Sequence, residues 1–179
     1  MARADAAPRV AAVPRRRVVG RPRRPAHGPP PGTGDVAISV AQLVPNAEIL
    51  VVTTPQLAAA EVAERAGAIA TQTHQQVVGV VENMSWLELP DGSRMEIFGS
   101  GGGEAVSDAL TKTLGARVPL LGQIPLDTRL REAGDAGAPI VLAEPDSAAA
   151  QALERIADGL AVRQRGLSGM SLGLTPVKR

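Results

Sequence analysis

Glu48-Ile49-Leu50-Val51-Val52-Thr53-Thr54, residues 48–54, is an unbroken β-branched and apolar run closed by Pro55. An apolar run of this length bounded by a proline reads as a strand buried on both faces, the kind found in parallel sheets. A helical pattern follows from Gln56 to about Thr73, opened by Pro55, with Leu57, Ala60, Val62, Ala66 and Ile69 at its apolar positions. Val77-Val78-Gly79-Val80-Val81 is a second buried strand, ending at Glu82-Asn83-Met84. Strand, helix and strand within about 35 residues make a βαβ unit.

Outward from this unit the alternation continues. Residues 85–103 read as loop, with a small hairpin around Pro90-Asp91-Gly92 and a glycine run, Gly99-Ser100-Gly101-Gly102-Gly103. A helix then runs to about Leu114. Residues 118–124 form a third strand ended by Pro125, and Asp127 can cap a brief helix through Glu132, broken at Gly134 to Gly137. Asp146 caps a last helix carrying Ala150, Leu153, Ile156, Ala157 and Leu160 on its apolar face. On the amino-terminal side, Val36 to Val44 is a short helix candidate. The pattern predicts a three-layer α/β domain with a mainly parallel sheet.

Such a sheet takes ligands beyond the carboxyl ends of its strands. Those ends are Thr53-Thr54-Pro55, Glu82-Asn83-Met84 and Ile124-Pro125-Leu126-Asp127. The Asn83 amide both donates and accepts, which suits a purine edge; a strand-end Asn can equally serve to turn the backbone. Upstream, Pro30-Pro31-Gly32-Thr33-Gly34-Asp35-Val36 is a rigid, glycine-flanked turn feeding a helix. It could hold an anion at the free N–H groups or simply cap that helix.

Composition narrows the function classes. The 179 residues contain no cysteine, so they offer neither a disulfide nor a thiolate ligand. One Trp, one Phe and no Tyr leave no stacking platform for single-stranded nucleic acid, so a nucleic-acid partner is not expected. No apolar run reaches the roughly 20 residues needed to span a bilayer, and the chain reads as a soluble, cytoplasmic protein with no membrane partner. The net charge of +1 hides an asymmetry: residues 1–31 hold eight Arg, one Asp and seven of 15 prolines, which leaves 11 basic and 17 acidic residues beyond them. Residues 1–29 show no helical or strand period and read as a disordered segment. It could be a polyanion-binding tail, a transit peptide, or the product of a frameshifted or misplaced start.

Five stretches occur in order: PPGTGDV (30–36), VVTTPQL (51–57), GVVENMS (79–85), Phe98-Gly99 with the glycines after it, and LGQIPLD (121–127). Together they resemble the carboxy-terminal part of the Mrp/ApbC family, MinD-like P-loop ATPases that carry iron–sulfur clusters. The resemblance implies a partial P-loop NTPase domain over residues 30–163 and a flexible tail over 164–179. It places the switch region beside the nucleotide phosphates at Gly32, Thr33, Gly34 and Asp35. It makes Asn83 the reader of adenine and sets Pro125 and Asp127 near the base. It further implies ATP with Mg²⁺ and a 4Fe-4S cluster as the family's ligands. The partners it implies are a homodimer, or a heterodimer with an intact family member, and apo iron–sulfur proteins as recipients.

The departures from the family pattern are specific. No GKGGVGKS-type Walker A loop occurs, and Gly99 to Gly103 has neither its lysine nor its spacing. Gly28 and Pro29 stand where the family has the Asp-Leu pair of its magnesium-site strand, and the Cys-x-x-Cys that many members carry after the ENMS motif is missing. Phosphoryl transfer needs a cationic cradle and Mg²⁺, so the expectation is weak adenine-nucleotide binding without turnover, hence no catalytic or metal residue. The abrupt change of character at Pro30 favours a truncated form with a frameshifted start. The alternative is a non-catalytic interaction module that dimerises with an intact family member.

Overall fold

The computed structural model describes residues 26–28, 39, 42–44, 47–56 and 60–162. Of the helix expected over 36–44, only positions 39 and 42–44 are described, the first three of them helical. Gly32, Thr33, Gly34 and Asp35 lie outside the described residues, as do the expected tail over 164–179 and, apart from 26–28, the segment 1–29.

Four strands form one mixed sheet: β1 (Ile49–Thr53), β2 (Val77–Glu88), β3 (Arg94–Met95) and β4 (Leu120–Leu126). β2 is central. It pairs in parallel with β1 through Val51↔Val80 to Thr53↔Glu82, and in parallel with β4 through Val80↔Leu120 to Asn83↔Ile124. Because Val80 has partners on both sides, β1 and β4 flank β2 on opposite edges. β3 pairs antiparallel with the far end of β2, Leu87↔Met95 and Glu88↔Arg94, closing the hairpin expected at Pro90-Asp91-Gly92. Asp91 sets that turn by accepting the Ser93 hydroxyl at 2.6 Å and the Ser93 backbone N–H at 2.9 Å. These bonds, the hydroxyl's first, hold its carboxyl below the ordinary carboxylate value.

The helices are α1 (Ala60–Thr73), α2 (Gly102–Leu114), α3 (Thr128–Asp135), α4 (Ile140–Ala143) and α5 (Ala148–Val162). Two cores form, one on each sheet face, as successive strand residues alternate sides. Val51, Val77 and Val80 pack with Ala63 and Ala70 of α1 and Val106 and Leu110 of α2. Val81 and Ile124 turn the other way, against Ile140 of α4 and Ala149, Ala150, Ala152 and Ile156 of α5. This is the three-layer arrangement expected from the alternation of elements.

Several boundaries differ from the sequence expectation. The helix after β1 is described only from Ala60, with a bend at Pro55-Gln56. β2 does not stop at Met84; it runs on to Glu88, because the hairpin gives its far end a partner. Pro125 lies inside β4 rather than ending it, and the helix capped by Asp127 extends to Asp135. The cap of α5 is Ser147, whose hydroxyl accepts the Ala150 N–H at 3.2 Å, and not Asp146. Ala157 faces solvent, so the buried stripe of α5 is made by Ala149, Ala150, Ala152 and Ile156.

Candidate functional site

The carboxyl end of β1 lies beside Glu82 of β2, and β2 and β4 run on past it together. Thr53, Glu82 and Gln123 are partners across the three strands, so a polar row crosses the sheet where β1 ends. Thr53 and Glu82 are buried, while Gln123 is exposed. Glu82 is 1% exposed and closes the apolar run Val77 to Val81. Its Oε2 accepts the backbone N–H of Gly103 at 2.6 Å, and its Oε1 accepts the Gln123 amide at 2.8 Å. Gly103 belongs to the first turn of α2, where free N–H groups and the helix dipole favour a carboxylate.

The glycine run has its role here. A Cβ on Gly102 would overlap the backbone of Thr54 and Pro55, and one on Gly103 would lie 2.8 Å from Cβ of Glu82. Only glycine lets the start of α2 press against both strand ends. The run is therefore a packing device and not a phosphate cradle.

Asn83 follows Glu82 and is half-buried. Among the described residues, no protein group takes up its side-chain amide. The next residue, Met84, has φ 59°, a left-handed conformation uncommon for a non-glycine residue. The β2–β4 register slips between Asn83 and Leu87. The Ser85 hydroxyl donates back to the Glu82 carbonyl at 3.1 Å, so Asn83 and Met84 bulge out between two anchored residues. Strained backbone of this kind gathers at ligand sites.

Pro125 and Asp127 stand at the carboxyl end of the neighbouring strand, Pro125 within β4 and Asp127 just after it. Pro125 is buried next to Ile124, the partner of Asn83. Asp127 is engaged elsewhere: Oδ1 accepts the Arg129 N–H at 2.9 Å, capping α3, and the Arg129 guanidinium donates to both oxygens at 3.0 and 2.9 Å. The Arg129 side-chain bond first, then its backbone bond and charge, hold the Asp127 carboxyl below its ordinary value against an opposing effect of burial. Arg129 also reaches Glu144 at 3.2 Å.

Beyond the end of β2 lies a shallow groove of about 500 Å³, lined by Glu88, Leu89, Pro90, Arg129, Ser147 and Gln151 among others. Neither Asn83 nor Pro125 lines it. Trp86, the chain's single tryptophan, stands near the bulge with the Arg94 guanidinium 4.1 Å from its ring centroid. No group of three or more His, Cys, Asp or Glu that could hold a metal ion occurs among the described residues, His27 and His74 included. No helix among them is long and apolar enough to cross a membrane.

The sequence singled out Asn83 and located the strands, but the bonds of Glu82 and Gln123 and the close approach at the paired glycines become visible only in the fold. The available signal was a charged residue closing the apolar run of β2.

Comparison with known proteins bears on these residues. The ParA family model, described as a NUBPL iron-transfer P-loop NTPase, matches residues 28–161. An iron-sulfur cluster carrier protein of Mycobacterium tuberculosis is 69% identical over 150 residues, covering 84% of this chain and 39% of that protein. One from Synechocystis is 46% identical over 135 residues, covering 74% and 36%. The chain thus spans about two fifths of the length of the curated relatives it matches. Among solved structures, a nucleotide-binding protein in complex with ADP from Archaeoglobus fulgidus is 36% identical, covering 60% of this chain and 42% of its own, with a TM-score of 0.49. The matched region takes in the PPGTGD, TTP, ENM and IPLD stretches, and on that match the chain belongs to the ParA/NUBPL family of iron-transfer P-loop NTPases, the group to which its Mrp/ApbC-like motifs pointed.

Proposed function

We propose that this chain is the adenine-reading part of an ATP-binding iron–sulfur cluster carrier of the Mrp/ApbC type, a truncated form without hydrolysis of its own. The observation that carries the reading is the Asn83 amide, unpaired among the described residues, on a strained bulge of the central strand just past the end of β1. Its oxygen can accept from the exocyclic amine of adenine while its NH₂ donates to a ring nitrogen; guanine presents the reverse pattern. Pro125 would close one side of the base. Asp127 acts through the start of α3, since both its oxygens are held by Arg129. Gly32, Thr33, Gly34 and Asp35 remain the proposed neighbours of the phosphates.

The chain's own residues do not fit the rest of the family chemistry. With no lysine-bearing P-loop and no carboxylate group grouped for Mg²⁺ among the described residues, no hydrolytic step is assigned here. The cluster is cargo, and without cysteine the 179 residues supply no thiolate to hold it. Cluster transfer to apo iron–sulfur proteins in the cytoplasm then belongs to a homodimer or to a heterodimer with an intact family member. The relatives from Mycobacterium tuberculosis and Synechocystis, both iron-sulfur cluster carrier proteins, support the carrier assignment.

The test is nucleotide titration of the full chain, followed by Trp86 fluorescence. ADP should bind more tightly than GDP, and Asn83→Ala should weaken ADP about 10-fold, the worth of roughly one bidentate amide contact. An Asn83→Ala chain that binds ADP as the wild type does would remove the assignment.

A further inference from the structure

Glu82 is a carboxylate withdrawn from water with no cation beside it among the described residues. Such a group is kept only where its oxygens are fully occupied, and here two neutral donors occupy them, one on α2 and one on β4. Its place in the sheet gives those bonds a consequence. Glu82 is the last residue of β2 paired to both β1 and β4, through Thr53 and Gln123. One residue later the β1 ladder has ended, and after Asn83 the β4 ladder slips. The backbone that carries the Asn83 amide has lost its β1 partner at this point and keeps only Ile124 of β4 before the register slips. What fixes its direction is the Glu82 side chain on one face and the Ser85 hydroxyl on the Glu82 carbonyl at 3.1 Å.

We propose that Glu82 is a positioning residue that sets base selectivity through Asn83. It ties β2 to the first turn of α2 and to β4, so the backbone that carries the Asn83 amide is held in one direction, and it touches no ligand itself. The proposal rests on Asn83 reading adenine. A loosened bulge would still let a nucleotide settle on the strand ends, but it would no longer tell one purine edge from the other.

The experiment measures the ratio of ADP to GDP affinity in the full chain by Trp86 fluorescence or equilibrium dialysis. Glu82→Ala leaves the Gly103 N–H and the Gln123 amide unpaired and should lower the ratio about 10-fold. Glu82→Gln can keep both bonds once the Gln123 amide turns over, so it should hold the ratio within about 3-fold of wild type. Should Glu82→Ala fail to fold, Gln123→Ala at an exposed position removes one of the two bonds and should lower the ratio by a smaller factor. A merely structural role for Glu82 weakens both nucleotides alike and leaves the ratio unchanged in all these variants, which overturns the proposal. Asn83→Ala separates the two layers of the account. If it flattens the ratio while the Glu82 and Gln123 variants do not, base reading stands and positioning falls; if it leaves the ratio unchanged, both fall.

Discussion

Asp127 carries two expectations from the sequence, a helix cap and a place near the base, and the structure shows the first. Its position after Ile-Pro-Leu puts it at a strand end beside the expected base, yet its oxygens cap α3 and hold Arg129. Removing the cap with Asp127→Ala should cost about 1 kcal/mol of stability at pH 7, measured by urea denaturation. Asp127→Asn keeps a capping acceptor and loses only the charge, so it isolates the pH dependence. The native carboxyl titrates below its ordinary value of 3.8, so the folded chain favours the ionised form. That stabilisation is fully present above pH 3.8 and drains away as pH falls below it. The stability gap between wild type and Asp127→Asn should therefore close in acid; a gap constant down to pH 2 would refute the ion pair's contribution. Asn83 could be singled out at this scale because a donor–acceptor amide at a parallel strand end is a local pattern. Glu82 could not, because its partners lie 21 and 41 residues away in sequence and meet it only across the sheet.

At the scale of elements, apolar runs and helical periods located β1, β2, β4 and the long helices, while their ends were set by tertiary contacts. Extension of β2 to Glu88 depends on a two-residue partner strand too short to announce itself. Pro125 breaks no strand because β4 pairs with β2 on one flank only among the described residues, and an outward-facing proline nitrogen costs no ladder bond. Asp146 and Ser147 are both good capping residues, and the structure uses the second. The glycine run could be excluded as a P-loop from its spacing, but the close approach that requires it needed the fold. Gly103→Ala would place a methyl group 2.8 Å from Cβ of Glu82 and should destabilise by about 1–3 kcal/mol through overpacking, read as a shift in denaturation midpoint. An unchanged midpoint would mean that α2 and β2 are less tightly joined than described.

Across the whole molecule, two cores sandwich a small sheet, and its flank at β1 is left over. Among the described residues β1 pairs only with β2, and on the face turned away from α1 it exposes Leu50 (39%) and Val52 (56%). An apolar, unpaired flank invites association with other chains. Leu50→Lys combined with Val52→Lys should reduce concentration-dependent light scattering without lowering the denaturation midpoint; unchanged scattering would place the sticky surface elsewhere. Everything else in the account turns on what the strand ends hold. The most direct measurement is the side-chain amide resonance of Asn83 in ¹⁵N-labelled protein, assigned by its loss in Asn83→Ala, during titration with ADP and then GDP. The account predicts that ADP shifts this resonance and that GDP shifts it far less at equal concentration. An Asn83 amide that stays fixed while ADP moves other resonances would contradict it.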